Sequence, residues 1–218
     1  MKRIQIISSI VESGVVAVLR GNPEEVFKVA RAAIAGGIKG IEITMTVQGA
    51  LDVVKEIKQQ SWAKEAVIGV GTVLDAETAV SAIHAGAEFI VSPHFDEDII
   101  KKCNRYQVPV MPGAFTIKEM VNALEMGCDV VKLFPGDAAG PKHIKNIKGP
   151  LPQVNVMPTG GVDEHTITEW IDAGAVAVGI GSNLTKAGGH DLNEQFISAY
   201  ARDLVRKVES ARRSSIFN

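Results

Sequence analysis

Eight short apolar runs, each nearly continuous and each followed by a longer segment of helical spacing, succeed one another along the chain, and no other feature limits its fold so tightly. The runs are Val15–Leu19, Gly40–Thr44, Val67–Gly71, Phe89–Val91, Val108–Met111, Val130–Phe134, Val154–Met157 and Ala177–Ile180. Strands covered on both faces are apolar throughout, whereas half-solvated antiparallel strands alternate apolar and polar residues. The expectation is therefore an α/β protein with a parallel sheet.

Between the runs, helix starts and stops are explicit. Asn22-Pro23-Glu24-Glu25 offers a cap, a proline at the first helical position and acids in the first turn. Thr116 and Glu119 have the spacing of a capping box, and Asp75, Asp96 and Asp163 are further cap candidates. Several helices then end at a glycine that leads straight into a run, at Gly37, Gly86, Gly127 and Gly174. These endings lie 49, 41 and 47 residues apart, about two strand–helix units each, and Gln107–Pro112 echoes Gln153–Pro158. Alternate strands thus resemble one another. The interior of a (β/α)8 barrel is filled by layers of side chains from alternate strands, so this period favours a closed TIM barrel over an open doubly wound sheet. Gly69-x-Gly71 and Gly179-x-Gly181 both lack the third glycine of a dinucleotide turn. A single domain over residues 1–218 is expected, with a capping helix in 1–13 beneath the barrel and a long final helix over 193–213.

Composition closes off other classes. With 46% hydrophobic and 22% charged residues, the chain has the makeup of a globular protein rather than a disordered one. Its 23 basic residues against 25 acidic ones include no basic block, which excludes nucleic acid as an expected partner. The longest stretch free of charged residues, Gly149–Val162, has 14 residues and three prolines, so no membrane span is expected. The first residues lack a secretory cleavage pattern, and Cys103 and Cys128 read as reduced, buried thiols; both suggest the cytoplasm. The five histidines have no ligand spacing, so neither a metal nor another cofactor is expected.

Catalytic groups of such barrels gather at the C-terminal strand ends. Five residues beyond each repeat glycine stand Glu42, Val91, Lys132 and Gly179, so Glu42 and Lys132 share an inward-facing layer. Lys132 lies in Val-Val-Lys-Leu-Phe; an ammonium there is poorly solvated, which favours the neutral, nucleophilic amine. Thr159-Gly160-Gly161 and Gly179-Ile180-Gly181-Ser182 follow the seventh and eighth strands, where backbone N–H groups and a short helix commonly hold phosphate. Arg20 ends the first strand and offers a bidentate grip on a carboxylate. Thr44, Thr72, Pro93, Pro112, Phe134 and Thr159 also stand at strand ends, as candidate substrate contacts.

Together, Glu42-Ile-Thr44, Gly71-Thr72, Ser92-Pro93-His94, Met111-Pro112-Gly113, Lys132-Leu-Phe134-Pro-Gly136, Pro158-Thr-Gly-Gly-Val162 and Val178-Gly-Ile-Gly-Ser182 resemble the 2-keto-3-deoxy-6-phosphogluconate (KDPG) and 4-hydroxy-2-oxoglutarate (KHG) aldolase family. The resemblance runs from about Val16 to Leu184. It implies a metal-free class I aldolase on a (β/α)8 barrel, usually a homotrimer, that takes a small 2-keto acid and releases pyruvate. It further implies that Lys132 is the Schiff-base lysine, that Glu42 is the general acid/base, and that Gly160, Gly161, Gly181 and Ser182 line a phosphate pocket. In one respect the chain departs: where many members carry a carboxylate-binding arginine four residues after the glutamate, it has Thr46. Arg20 and the Thr44 region are the expected substitutes. The rival readings are an aldolase for a galactonate-derived analogue, a phosphosugar isomerase or epimerase, and a non-catalytic phosphometabolite-binding barrel.

Overall fold

Among the described residues, 2–216 of a computed structural model, the eight apolar runs are matched by nine strands, because a further two-residue strand follows Pro112, just beyond the end of the fifth run. The strands are β1 (Val15–Leu19), β2 (Gly40–Thr44), β3 (Val67–Gly71), β4 (Ile90–Val91), β5 (Val110–Met111), β6 (Gly113–Ala114), β7 (Val131–Leu133), β8 (Val156–Pro158) and β9 (Val178–Ile180). Proline has no N–H to give to a ladder, so pairing changes partner where it stands: β5 bonds to β4, and β6 to β7. One parallel sheet has the order β5-β4-β3-β2-β1-β9 and the other β6-β7-β8. Beyond the named ladders, single parallel bridges join Val156 to Ala175 and Thr159 to Gly179, linking the β8 region to the approach and body of β9.

Alternation along the strands sorts the apolar side chains into two clusters. Val15, Ala17, Leu19, Ile41, Ile43, Ile68 and Val70 point outward and pack beneath the helices. Val16, Val18, Phe89, Val91, Met111, Val130, Met157 and Ala177 point inward, joined by Ile6 and Ile10 of the N-terminal helix Lys2–Ser13. Two of the three inward positions of β3, Gly69 and Gly71, are glycines, and the third is Val67 at its start. A Cβ at Gly69 would lie 2.5 Å from the Phe89 ring, and the interior accepts that ring because the facing residue has no side chain.

The caps are formed as their chemistry dictates. Asn22 and Glu25 close a reciprocal capping box on the helix Pro23–Ala35, and Thr116 with Glu119 does the same for Ile117–Glu125. Asp75 and Asp96 cap Ala76–His84 and Glu97–Arg105. Asp163 instead orders the turn ahead of the helix Ile167–Asp172, accepting the N–H groups of His165 and Thr166. The last helix, Glu194–Ile216, lies across Pro23–Ala35, where Gly36 leaves room for Ala201 and Arg31 pairs with Glu194. Among the described residues no helix is long and apolar enough to cross a membrane.

Candidate active site

Glu42 occupies the third position of β2 and Lys132 the second of β7, and both side chains are buried, at 0% and 3% exposure. They reach the interior because strand periodicity turns Ile41 and Ile43, or Val131 and Leu133, the other way. Lys132 Nζ stands 3.9 Å from Glu42 Oε1, near enough for an ion pair and beyond hydrogen-bond contact. Its amine also lies 5.1 Å from the centre of the Phe134 ring. Neither carboxylate oxygen of Glu42 accepts a hydrogen bond from the protein. Burying two charges is costly unless hydrogen bonds satisfy them, so a pair held this loosely is poorly explained as a stabilising device.

What holds Glu42 in place is an absence of bulk. A Cβ on Gly71, which pairs across the sheet with Thr44, would fall 1.8 Å from Glu42 Oε1 and 2.5 Å from its Cγ. The carboxylate therefore lies flat over the end of β3. Sequence reasoning gave Gly71 no part in the site; the signal that marks its role is a glycine at an inward position beside a glutamate strand.

Around this pair stand the other strand-end residues. Thr44 is fully buried and its hydroxyl donates to the Leu19 carbonyl at 3.0 Å. That commits its only proton, so the 2.7 Å contact with Thr46 is a bond that Thr46 donates. The residue standing in the arginine position is thus tied to its own strand end. Thr72 is half-buried with φ +57° directly after β3. Pro112 is buried, and its carbonyl accepts the Lys132 N–H at 2.9 Å, fixing the lysine backbone against the strand break. Pro93 presses on the adjoining turn: its carbonyl would lie 2.2 Å from a Cβ on Gly113.

The glycine turns form a separate wall. A cavity of about 150 Å³ is lined by Val18, Arg20, Phe134, Thr159, Gly160, Gly161, Val162, Gly179, Gly181, Ser182 and Asn183. All four glycine-turn residues named from the sequence meet here. Gly160 and Gly161 have φ of +97° and +68°, conformations that favour glycine, and a Cβ on Gly161 would lie 2.9 Å from the Asp137 backbone. Thr159 is 5% exposed, and its hydroxyl has no partner in the protein. Arg20 belongs to this wall: its Nη1 lies 3.5 Å from where a Gly181 Cβ would stand. Its guanidinium is thereby grouped with the glycine turns, whereas the sequence suggested a carboxylate contact. Val18 and Asn183 complete the lining, and strand-end reasoning had passed over both. Neither Lys132 nor Glu42 is in this wall, but Phe134, whose ring faces the Lys132 amine, joins it to the pair; a larger cavity of about 540 Å³, bounded by Asp163, Glu164, His165, Lys186, Phe196 and Tyr200, has no such link. Among the described residues no cluster of His, Cys, Asp and Glu has the makings of a metal site.

An amine and a carboxylate, both reaching one point in the buried interior, can add to a carbonyl and move its protons; the adjoining cavity offers backbone N–H groups and a guanidinium to an anion. Comparison with known proteins agrees with that chemistry. The profile of the family described as aldolase, KDPG and KHG aldolase, matches residues 6–197. The 2-dehydro-3-deoxy-6-phosphogalactonate aldolase of Escherichia coli K12 is 35% identical over 175 residues, covering 79% of this chain and 85% of that protein. The KHG/KDPG aldolase of the same organism is 30% identical over 184 residues, covering 84% and 85%. The structure is similar to that of the KDPG aldolase of Legionella pneumophila, solved with pyruvate captured as a covalent carbinolamine (TM-score 0.81, 26% identity, 90% of this chain and 96% of that one).

Proposed function

The chain belongs to the KDPG and KHG aldolase family, whose members are lyases, and from that premise we propose that it is a class I aldolase cleaving 2-keto-3-deoxy-6-phosphogluconate to pyruvate and glyceraldehyde 3-phosphate. Cleavage of 4-hydroxy-2-oxoglutarate to pyruvate and glyoxylate is a second activity of the same residues. The observation that carries the reading is the buried Lys132–Glu42 pair at 3.9 Å, its carboxylate free of protein donors, beside a cavity walled by glycine turns and Arg20.

Neutral Lys132 adds to the C2 ketone, and water leaves as Glu42 relays protons, giving an iminium that draws electrons from the neighbouring carbon. Glu42 then takes the proton of the C4 hydroxyl, directly or through one water. The C3–C4 bond breaks, the aldehyde departs, and the enamine left on Lys132 is protonated at C3. Hydrolysis of that second iminium releases pyruvate and restores the amine. Gly160, Gly161, Gly181, Ser182 and Arg20 hold the substrate phosphate, which aligns the reacting bond from a distance. Thr44, Thr72, Pro93, Pro112 and Phe134 shape the keto-acid end, and the Thr159 hydroxyl faces the chain between the two. No metal or other cofactor takes part.

Closure of the two sheets into one (β/α)8 barrel belongs to the same proposal. It is supported by the continuity of β5 and β6 through Pro112 and by the bridges Val156–Ala175 and Thr159–Gly179. The protein is proposed to act as a homotrimer, as the sequence resemblance implies, and in the cytoplasm, as its two reduced, buried cysteines suggest. The alternative reading is an aldolase for the C4 epimer, 2-keto-3-deoxy-6-phosphogalactonate, in line with the 35% identity to a phosphogalactonate aldolase; kcat/KM for the two epimers measures the preference. Incubation with pyruvate and borohydride, followed by mass spectrometry of the digest, tests the chemistry: the expected adduct is on Lys132, and an unmodified Lys132 refutes the mechanism.

A further inference from the structure

Beyond the glycine wall the anion pocket continues. A second cleft, of about 350 Å³, shares Val18, Arg20, Gly181 and Ser182 with the first and adds Gly21, Thr185 and Lys186. The short helix Ser182–Lys186 places Ser182, Thr185 and Lys186 on one face by their i, i+3, i+4 spacing, while Leu184 is buried on another. The lining itself holds no carboxylate; at its edge Glu25 Oε2 occupies the space that a Cβ on Gly21 would take, and it accepts the Asn22 N–H at 3.2 Å. Among the described residues neither Arg20 nor Lys186 forms an ion pair.

Acids do approach Lys186 from its other side, where it borders the cavity that holds Asp163 and Glu164. Both are already engaged. Asp163 Oδ1 accepts from the N–H groups of His165 and Thr166 and from the Thr166 hydroxyl, and Glu164 accepts the Tyr200 hydroxyl and lies 3.5 Å from the His165 ring. Two cations therefore flank one continuous pocket with no ion pair of their own, the nearby carboxylates of Glu25, Asp163 and Glu164 each having other partners; one cation is a planar fork and the other a mobile point charge.

We infer that Lys186 is a specificity-determining residue which acts with Arg20 on a terminal group carrying two negative charges, so that the site selects phosphorylated over unphosphorylated 2-keto acids by charge as well as by its backbone donors. The inference rests on the aldolase reading and on the glycine turns as its anion pocket. Because both cations are exposed, their contribution is moderate and is screened by salt.

The test compares wild type with Lys186→Met and Lys186→Arg on 2-keto-3-deoxy-6-phosphogluconate and its unphosphorylated counterpart. In Lys186→Met, the ratio of the two kcat/KM values is expected to fall about fivefold at low ionic strength and less at high. The inhibition constant of inorganic phosphate should rise in step, and Lys186→Arg should restore both. A ratio that does not move, an equal loss on both substrates, or no rescue by arginine overturns the assignment. The pyruvate–borohydride adduct is measured in the same variants. If it forms on Lys132 while the ratio stays fixed, only the role of Lys186 fails; if it is missing from wild type as well, the aldolase reading fails first.

Discussion

Replacing Gly71 by alanine adds one methyl group to the interior, and the structure places that methyl against the Glu42 carboxylate, the proposed acid/base. The new Cβ would meet Glu42 Oε1 at 1.8 Å, so the oxygen must withdraw by about 1.6 Å to reach the 3.4 Å at which ordinary contact begins. The collision runs from Oε1 back to Cγ of a fully buried side chain, so the whole arm of Glu42 has to turn away. A stability loss of about 1 kcal/mol is expected, near the lower end for overpacked cores, which lowers Tm by about 2–4 °C in a domain of this size. Catalysis should suffer far more. Misplacing a reacting group by about 1 Å costs on the order of 100-fold, equivalent to about 2.7 kcal/mol of barrier. Pyruvate release coupled to NADH oxidation by lactate dehydrogenase measures kcat, and a thermal melt of the same sample measures Tm. Gly69→Ala supplies the contrast, because its Cβ meets the Phe89 ring at 2.5 Å: a larger loss of Tm and a smaller loss of kcat. If Gly71→Ala keeps kcat within about threefold of wild type, Glu42 does not work from the position described here, and the role given to it is wrong.

Two further outcomes are expected. Hydrogen bonding from Arg31 lowers the pKa of Glu194, so the bond tying the first long helix to the last is present at neutral pH and is lost as pH falls through the carboxylate range. Glu194→Gln should therefore flatten the acid limb of a stability-versus-pH curve by less than about 1 kcal/mol, and an unchanged limb would contradict this linkage. Burial pushes the Cys103 and Cys128 thiols up to about 12, so native protein should resist alkylation near neutral pH and label at both cysteines only once unfolded; rapid native labelling would show that these sites open.

Much of the candidate site could be read from spacing alone. Counting five residues from each helix-ending glycine put Glu42 and Lys132 in one layer, and both are buried within 3.9 Å of each other. Local chemistry was equally legible where it is local: the capping boxes at Asn22 and Thr116 need only residues three apart. Asp163 shows the limit, since its carboxylate orders a turn rather than capping a helix, a choice made by the path of the chain between Gly161 and Ile167.

The sequence by itself determined the alternation of strands and helices, the layer that Glu42 and Lys132 share with Val91, and the two glycine turns. These follow from periodicity and from the backbone freedom of single residues, which the chain carries with it wherever it goes. Only the tertiary structure decided that Pro112 divides a strand between two sheets, that Gly71 makes room for Glu42, that Thr46 bonds to Thr44, and that Arg20 joins the glycine turns beside Lys186. Each of these depends on residues brought together by packing, and the distance between such residues is set by the curvature of the sheet rather than by their separation along the chain.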